Sequence, residues 1–384
     1  MQSVDEEVYL DHAATTPLHP DVLTAMIPFF TQHHGNPSSV HRFGRVAKQA
    51  LTDARDQLAA MLGCSPGELV FTSGGTESDN MALFGAAMAA PANRKHIVTS
   101  AVEHHAVLHA CKELERLGFR VTYLPVDSAG RIAAEDVEAA VGDDTALISV
   151  MFGNNEVGTL QPIEEIGRMA KRRGVLFHVD AVQALGTVDI DLSQQPVDLM
   201  SFSAHKINGP KGIGALYVNR KVKLAPRTFG GSQERKRRAG TENVAGAVGF
   251  ARALSIALAD PAGRRASLAA LRSAMLDQLS TRLSAEQFVV NGHPSEHLPH
   301  ILNVSFPGTN TESMLMNLDL EGVAASSGSA CSSGALEPSH VLLAMGLPDK
   351  LLRSAIRFSF GWGNCLKSVT FAAEKVATIV RRLT

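Results

Sequence analysis

At 384 residues the chain is long enough for two or three domains of about 100–200 residues, each with its own core, which excludes a peptide hormone or a lone binding module. Its 36 basic and 38 acidic residues leave a net charge of −2, so no global field recruits nucleic acid or an anionic membrane. Four cysteines (Cys64, Cys111, Cys331, Cys365) lie far apart with no CxxC, which argues against a disulfide framework and a structural zinc site and fits a reducing cytoplasm. The acidic first ten residues are unlike a signal peptide, and no apolar run approaches the roughly 18 residues of a membrane span, so a soluble protein is expected.

Short β-branched or apolar runs alternate with segments of helical period, the pattern of an α/β fold with a largely parallel sheet. Strands are predicted over 68–73, 96–100, 120–126, 146–152, 175–180, 199–203 and 214–218. A helix over 40–62 carries the stripe Phe43, Val46, Ala47, Ala50, Leu51, Ala54, Leu58 and Met61, and an Ala-rich helix is predicted over 80–90. Another helix, after Gln161-Pro162, buries Ile163, Ile166, Met169 and Ala170 and ends at Gly174, behind Lys171-Arg172-Arg173. At Asp260-Pro261 a capped helix opens with the stripe Leu268, Leu271, Met275, Leu279 and Leu283. The expected division is a large domain over 15–258 and a smaller α+β domain built from 1–14 and 259–384. The latter holds strands over 288–291, 301–306, 322–325 and 356–360 and a final amphipathic helix with Phe371, Val376, Ile379 and Val380. There is no internal repeat or long linker.

Five polar clusters fall just after predicted strands: Thr72-Ser-Gly-Gly-Thr-Glu-Ser78, Glu103-His104, Asn154-Asn-Glu156, Asp180-Ala-Val-Gln183 and Ser203-Ala-His-Lys206. Open α/β sheets bind ligands at those carboxyl ends, so the clusters describe a small-molecule site. The Gly74-Gly75-Thr76 turn ahead of a helix offers free N–H groups and a hydroxyl to a phosphate, while the absence of both P-loop and GxGxxG patterns counts against an NTPase or a dinucleotide enzyme. Asp180 puts a carboxylate at the edge of an apolar layer and needs a cation, either an Arg or Lys or a protonated pyridine nitrogen. Lys206 leaves a buried strand; it is either a surface ion-pair lysine or an amine whose pKa is drawn down far enough to form a Schiff base. Together the three features meet the needs of pyridoxal phosphate.

The sequence resembles the cysteine desulfurases of the NifS/IscS type, in the class V aminotransferase group of pyridoxal-phosphate enzymes. The likeness runs over nearly the whole chain, through Tyr9-Leu-Asp-His-Ala-Ala-Thr-Thr16, Gly35-Asn-Pro-Ser-Ser39, Thr72 to Ser78, Asn154-Asn-Glu156, His178-Val-Asp-Ala-Val-Gln183, Ser203-Ala-His-Lys206, Arg238-Ala-Gly-Thr-Glu-Asn243, Ser326 to Ser333 and Ile356-Arg-Phe-Ser359. It implies the type I fold of pyridoxal-phosphate enzymes, with a mainly parallel seven-stranded sheet. It also implies Lys206 as the cofactor lysine, Asp180 at the ring nitrogen, His104 stacked on the ring, and Asn155 and Gln183 near the phenolic oxygen. Gly75, Thr76, Ser203 and His205 would hold the phosphate, with Thr241 supplied by the other subunit of a homodimer. Arg357, helped by Asn36, would bind the substrate carboxylate, with Arg353 as a rival. For His104 alone, a structural hydrogen bond or a metal role beside His105 compete, although further metal ligands at usable spacing are lacking.

Cys331, in a run of small residues, is the expected nucleophile: its thiolate takes sulfur from L-cysteine, leaving L-alanine and a persulfide, with Lys206 or His104 moving the α-proton. Cys64, Cys111 and Cys365 read as structural. The sulfur acceptor, an iron–sulfur scaffold or a thiolation protein, is not specified. Selenocysteine lyase or aminotransferase activity, or a cofactor-bearing scaffold without turnover, are the competing readings. The chain departs from the family at Ser359-Phe-Gly-Trp362, where Ser-Leu-Gly-Arg is common, and it ends at Thr384, without the longer tail of some housekeeping members.

Overall fold

The computed structural model describes residues 7–328 and 338–384. Among the described residues, twelve strands form three sheets. The strands are β1 (Val8–Tyr9), β2 (Leu69–Thr72), β3 (His96–Ser100), β4 (Arg120–Leu124), β5 (Thr145–Met151), β6 (Leu176–Asp180), β7 (Leu199–Ser203), β8 (Gly214–Val218), β9 (Val289–Asn291), β10 (Ile301–Ser305), β11 (Val323–Ala324) and β12 (Ala355–Ser359). The large sheet has the order β2-β8-β7-β6-β5-β3-β4; only β8 runs against its neighbours. Central strands such as β5 and β7 are buried along their whole length, so apolar side chains occur on both faces and the few polar ones, Thr145, Ser149, Ser201 and Ser203, are small.

Register places the polar clusters at one edge. Thr72 and Ser203 both pair with Gly214, while Asp180 pairs with Met151 on one side and Ser201 on the other. The carboxyl ends of β2, β5, β6 and β7 therefore finish within a few residues of each other.

Two further sheets, β12-β10-β9 and the parallel pair β1-β11, lie in the carboxyl-terminal half with the amino-terminal strand. One apolar core draws its residues from Val22 to Ala257; a separate one joins Val8 and Leu10 to residues from Leu268 to Val380. No single helix among the described residues is long and apolar enough to cross a membrane.

The expected helix over 40–62 starts at Arg42, because the His41 ring caps it by accepting from Gly44 N–H. Its stripe divides. Ala47, Leu51, Ala54 and Leu58 are buried, whereas Phe43 and Val46 are 56% and 37% exposed. The Ala-rich helix begins at Gly75, five residues before its expected start, which brings Thr76, Glu77 and Asp79 into its first turns. Strand β4 stops at Leu124, two residues short of expectation. Helix 163–173 ends at a left-handed Gly174 and helix 261–282 opens on an Asp260 cap, as predicted. Helix 20–31 buries only Val22 and Met26, while Leu23, Ile27 and Phe30 face outward.

Helix 163–173 packs so closely that its Gly167 faces the Pro196 carbonyl oxygen, which an added Cβ would approach to 2.3 Å. Glycine to alanine inside a helix ordinarily stabilises by about 0.5–1 kcal/mol. Here Gly167→Ala is expected to destabilise by about 1–3 kcal/mol through overpacking, measured as a lowered midpoint in urea unfolding.

Candidate active site

The edge of the large sheet opens into a cleft of about 390 Å³. Gly75, Thr76, His104, Asn155, Asp180, Gln183, Ser203, His205, Lys206 and Arg357, all anticipated from the sequence, line it together. Asn36 does not. It is exposed and uses its side-chain oxygen to accept from Ser38 N–H, so the expectation that it helps bind substrate has no support within its own chain. Thr241 is also exposed and outside the cleft of its own chain. Arg353 is spent on an exposed pair with Asp349, which removes it as a rival to Arg357. Cys331 lies outside the described residues.

One end of the cleft is a turn. Gly74, at φ +153°, sits where L side chains are disfavoured, and Cβ on Gly214 would come within 2.7 Å of Gly74 Cα, so two glycines let the turn lie flat on β8. Helix 75–89 then starts without a side-chain cap, leaving N–H groups of its first turn open. Ser203 Oγ is buried with no hydrogen-bond partner nearby, and Thr76 and His205 complete the wall. His205 donates or accepts at Thr15 Oγ1, 3.1 Å away, and is held neutral, with its pKa pushed down to about 4 by burial and by Lys206 and Lys211. Open amides at a helix start, an orphaned hydroxyl and a neutral imidazole form a cup for a phosphate.

Asp180 lies at the floor. One of its oxygens accepts from Val182 N–H at 2.9 Å, and burial raises its pKa because no cation is bonded to it. Lys206 Nζ donates to the carbonyl oxygens of Ala13 and, at 2.8 Å, Ala14. Burial and the nearby Arg357 lower its pKa from 10.5 to about 8. The carbonyls that hold it follow β1, in a turn pinned by Tyr9, whose hydroxyl donates to Asp11 O and Thr15 O.

His104 caps helix 105–116 by accepting from Ala106 N–H through Nδ1, so the proton of its neutral ring belongs on Nε2. Desolvation and Lys206 depress its pKa to about 4. Gln183 donates to Ala13 O and lies 3.3 Å from the buried, neutral His300. Arg357 donates to Asn155 O at 2.8 Å and to Asp11 at 2.7 Å, leaving Nε buried without a partner. Two bonds fix its plane while its remaining donors serve a ligand.

Sequence reasoning assigned no role to Asp79, Glu103 or His300. Asp79 lines the cleft and Glu103 lies fully buried beneath it; desolvation drives both carboxyl pKa values up, Glu103 to about 8. Glu103 stood in one of the strand-end clusters, but only the fold brings it and Asp79 close enough to Asp180 for the three acids to feel one another. Cys64 and Cys111 are structural thiols whose pKa burial pushes up to about 12, whereas Cys365 is exposed at the start of the last helix, where hydrogen bonds with Ser368 lower its pKa. It is therefore not a core residue. The unusual Trp362 is half exposed and tilted against His19 at 5.1 Å, while a Cβ on the adjacent Gly361 would strike the His12 ring.

A central parallel sheet with a lysine, a carboxylate and a phosphate cup at its carboxyl edge defines a pyridoxal-phosphate enzyme of the type I fold. Residues 8–370 match the aminotransferase class-V family. A Bacillus subtilis relative named IscS 1 is 51% identical over 380 residues, covering 99% of this chain and 100% of its own. The cysteine desulfurase IscS of Methanosarcina thermophila is 47% identical over 99% of this chain and 93% of its own. A solved NifS-like protein superposes with a TM-score of 0.92 at 38% identity, covering 98% of this chain and all of that one. The chain belongs to the class-V aminotransferases, among their cysteine desulfurases, and its cofactor is pyridoxal phosphate. The unpartnered Ser203 hydroxyl, the uncapped helix start and the cation-lacking Asp180 fit that group.

Because Lys206 is charged below pH 8 and neutral above it, capture of pyridoxal phosphate by the apoprotein should speed up about tenfold per pH unit from pH 6 to 8 and level off above. Stopped-flow absorbance would measure it.

Proposed function

We propose that this chain converts L-cysteine to L-alanine and stores the sulfur as a persulfide on Cys331 for delivery to an acceptor protein. The convergence of Lys206, Asp180, Arg357 and the phosphate cup on one cleft carries this reading, together with the family to which the chain belongs. Pyridoxal phosphate, when bound, supplies an electrophilic carbon and an electron-accepting ring that labilise the bonds of an amino acid around its α-carbon.

The protein's own residues do the rest. Thr76, Ser203, His205 and the amides of helix 75–89 hold the phosphate. Asp180, costly as a buried unpaired anion, gains a partner in a protonated ring nitrogen and keeps that proton in place. Asn155 and Gln183 serve the phenolic oxygen. The His104 ring provides a flat, neutral face. Arg357 takes the substrate carboxylate, its plane preset by Asp11 and Asn155 O. Lys206, half deprotonated near pH 8, accepts the α-proton at Nζ.

Cys331 attacks the substrate sulfur: an S–S bond forms, the C–S bond breaks, and the electron pair left on carbon takes up a proton to give L-alanine. Cys331 follows three positions after Gly328, which lines the cleft, a span of at most about 11 Å of extended chain. On the far side of Cys331, the Ser339 hydroxyl donates to Glu156, against which Gly328 also packs.

A homodimer suits the outward apolar residues Leu23, Ile27 and Phe30, and in it Thr241 reaches the partner's phosphate cup. The acceptor is an iron–sulfur cluster scaffold or another sulfur-accepting protein, and the reaction belongs in a reducing cytoplasm, where free thiols persist.

Cys331→Ala should keep the bound cofactor's visible absorbance and lose alanine and sulfide release by at least about a thousandfold, as expected when a covalent nucleophile is removed. Normal alanine release by that variant would remove Cys331 from the mechanism. Asp180→Asn should lower kcat about 10²–10³-fold, the scale of one lost preorganised electrostatic contact, and weaken cofactor retention on dialysis.

A further inference from the structure

Between Gly231 and the helix at Val244, three consecutive non-glycine residues take left-handed backbone: Glu234, Arg235 and Lys236, with φ of 43°, 57° and 64°. L side chains avoid that region because Cβ crowds the following carbonyl, so such a run persists only where the surroundings over-determine it. A buried ion pair does so here. Glu234 Oε1 accepts from Arg55 Nη2 at 2.6 Å, and Oε2 accepts from Arg55 Nη1 at 2.8 Å and from Phe71 N–H at 3.0 Å. Arg55 also donates to Leu69 O, and its guanidinium lies 4.6 Å from the centre of the Phe71 ring. The two side chains are only 10% and 3% exposed, so removing one charge strands the other away from water.

Four residues on, the segment is fastened again. Arg238 Nε and Nη2 donate to the two oxygens of Glu77 at 2.8 and 3.2 Å, and Glu77 also accepts from Ser73 N–H. Phe71, Ser73 and Glu77 all belong to the strand, turn and helix that build this chain's own phosphate cup. Thr241, three residues beyond Arg238, is exposed and away from that cup.

We propose that Glu234, gripped by Arg55, and Arg238 are positioning residues that hold residues 231–243 as a rigid arm, set against one cup and delivering Thr241 to the other. This rests on the reading above that Thr241 acts across a dimer. The strain favours one course for the arm, because the contacts of Glu234 and Arg238 that offset it are made in that course.

Mixed dimers test it. Thr241→Ala, Glu234→Gln or Arg238→Gln is placed on a chain that also carries Lys206→Ala, and this chain is paired through a second affinity tag with one whose Lys206 is intact. Only the intact chain captures pyridoxal phosphate covalently, so visible absorbance during titration reports its site alone. All three substitutions should weaken that site about tenfold, the scale of one charge-assisted hydrogen bond, and change its affinity less than about twofold when moved onto the Lys206-intact chain. If Thr241→Ala acts across the dimer but Glu234→Gln and Arg238→Gln do not, the arm is refuted and the reading of Thr241 stands. Should Thr241→Ala have no effect across the dimer, or sedimentation show no dimer, that reading fails and the arm with it. Equal losses in both arrangements would assign Glu234 and Arg238 to the folding of their own subunit and also overturn the proposal. Arg238→Gln keeps the buried pair, so the comparison survives if Glu234→Gln does not fold.

Discussion

Everything in this site depends on holding an amine and a carboxyl group out of water on neighbouring strand ends without letting them neutralise each other. Asp180 and Lys206 share a cleft, but Lys206 is engaged by the carbonyls of Ala13 and Ala14, and Asp180 by the Val182 amide. Each is left at a cost that a ligand can relieve: burial shifts the amine toward its neutral form and the acid toward its protonated form. A direct salt bridge would have removed that cost and with it the site's demand for a cationic ring and an electrophilic carbon.

The same economy extends to the rest of the cleft. His104, His205 and His300 are all neutral, with pKa values driven down to about 4, 4 and 3, so none adds positive charge beside Lys206 at working pH. Arg357 is the described cation that lines the cleft with Lys206, and Asp11 fixes its orientation rather than burying it in an unused pair. Positive charge is thus concentrated where an amino acid's carboxylate would sit. Glycines at 74, 75 and 214 keep the turn low, which leaves the amides of the uncapped helix start open at the cleft.

The amino-terminal residues act far from their sequence neighbours. Pairing of β1 with β11 carries residues 11–16 across the mouth of the cleft, where they supply the carbonyls that hold Lys206, the acid that orients Arg357 and the hydroxyls that meet His205. One short parallel pair therefore couples the carboxyl-terminal half to the chemistry at the large sheet. It also brings Ser326, which pairs with Arg357, to the rim from which the segment bearing Cys331 departs.

The sequence by itself determined the strands of the large sheet nearly to the residue, because buried β-branched runs bounded by glycine and polar clusters leave little choice, and it pointed to ten of the cleft's residues, nine in clusters at strand ends and Arg357 through the family resemblance. It could not place residues whose role depends on what lies opposite them. Phe43 and Val46 fit a buried stripe by spacing, yet they face outward, because the packed side of the helix is formed by Ala47, Leu51, Ala54 and Leu58; Asn36 is exposed and lies outside the cleft of its own chain. Asp79 belonged to no motif and Glu103 carried no assigned role until packing brought both, buried, close to Asp180. The carbonyls of Ala13 and Ala14 carry no side-chain signal at all. Local pattern reports propensity and periodicity, whereas desolvation, pairing and backbone strain such as that at Glu234 are set by distant parts of the chain, and only the tertiary structure brings those together.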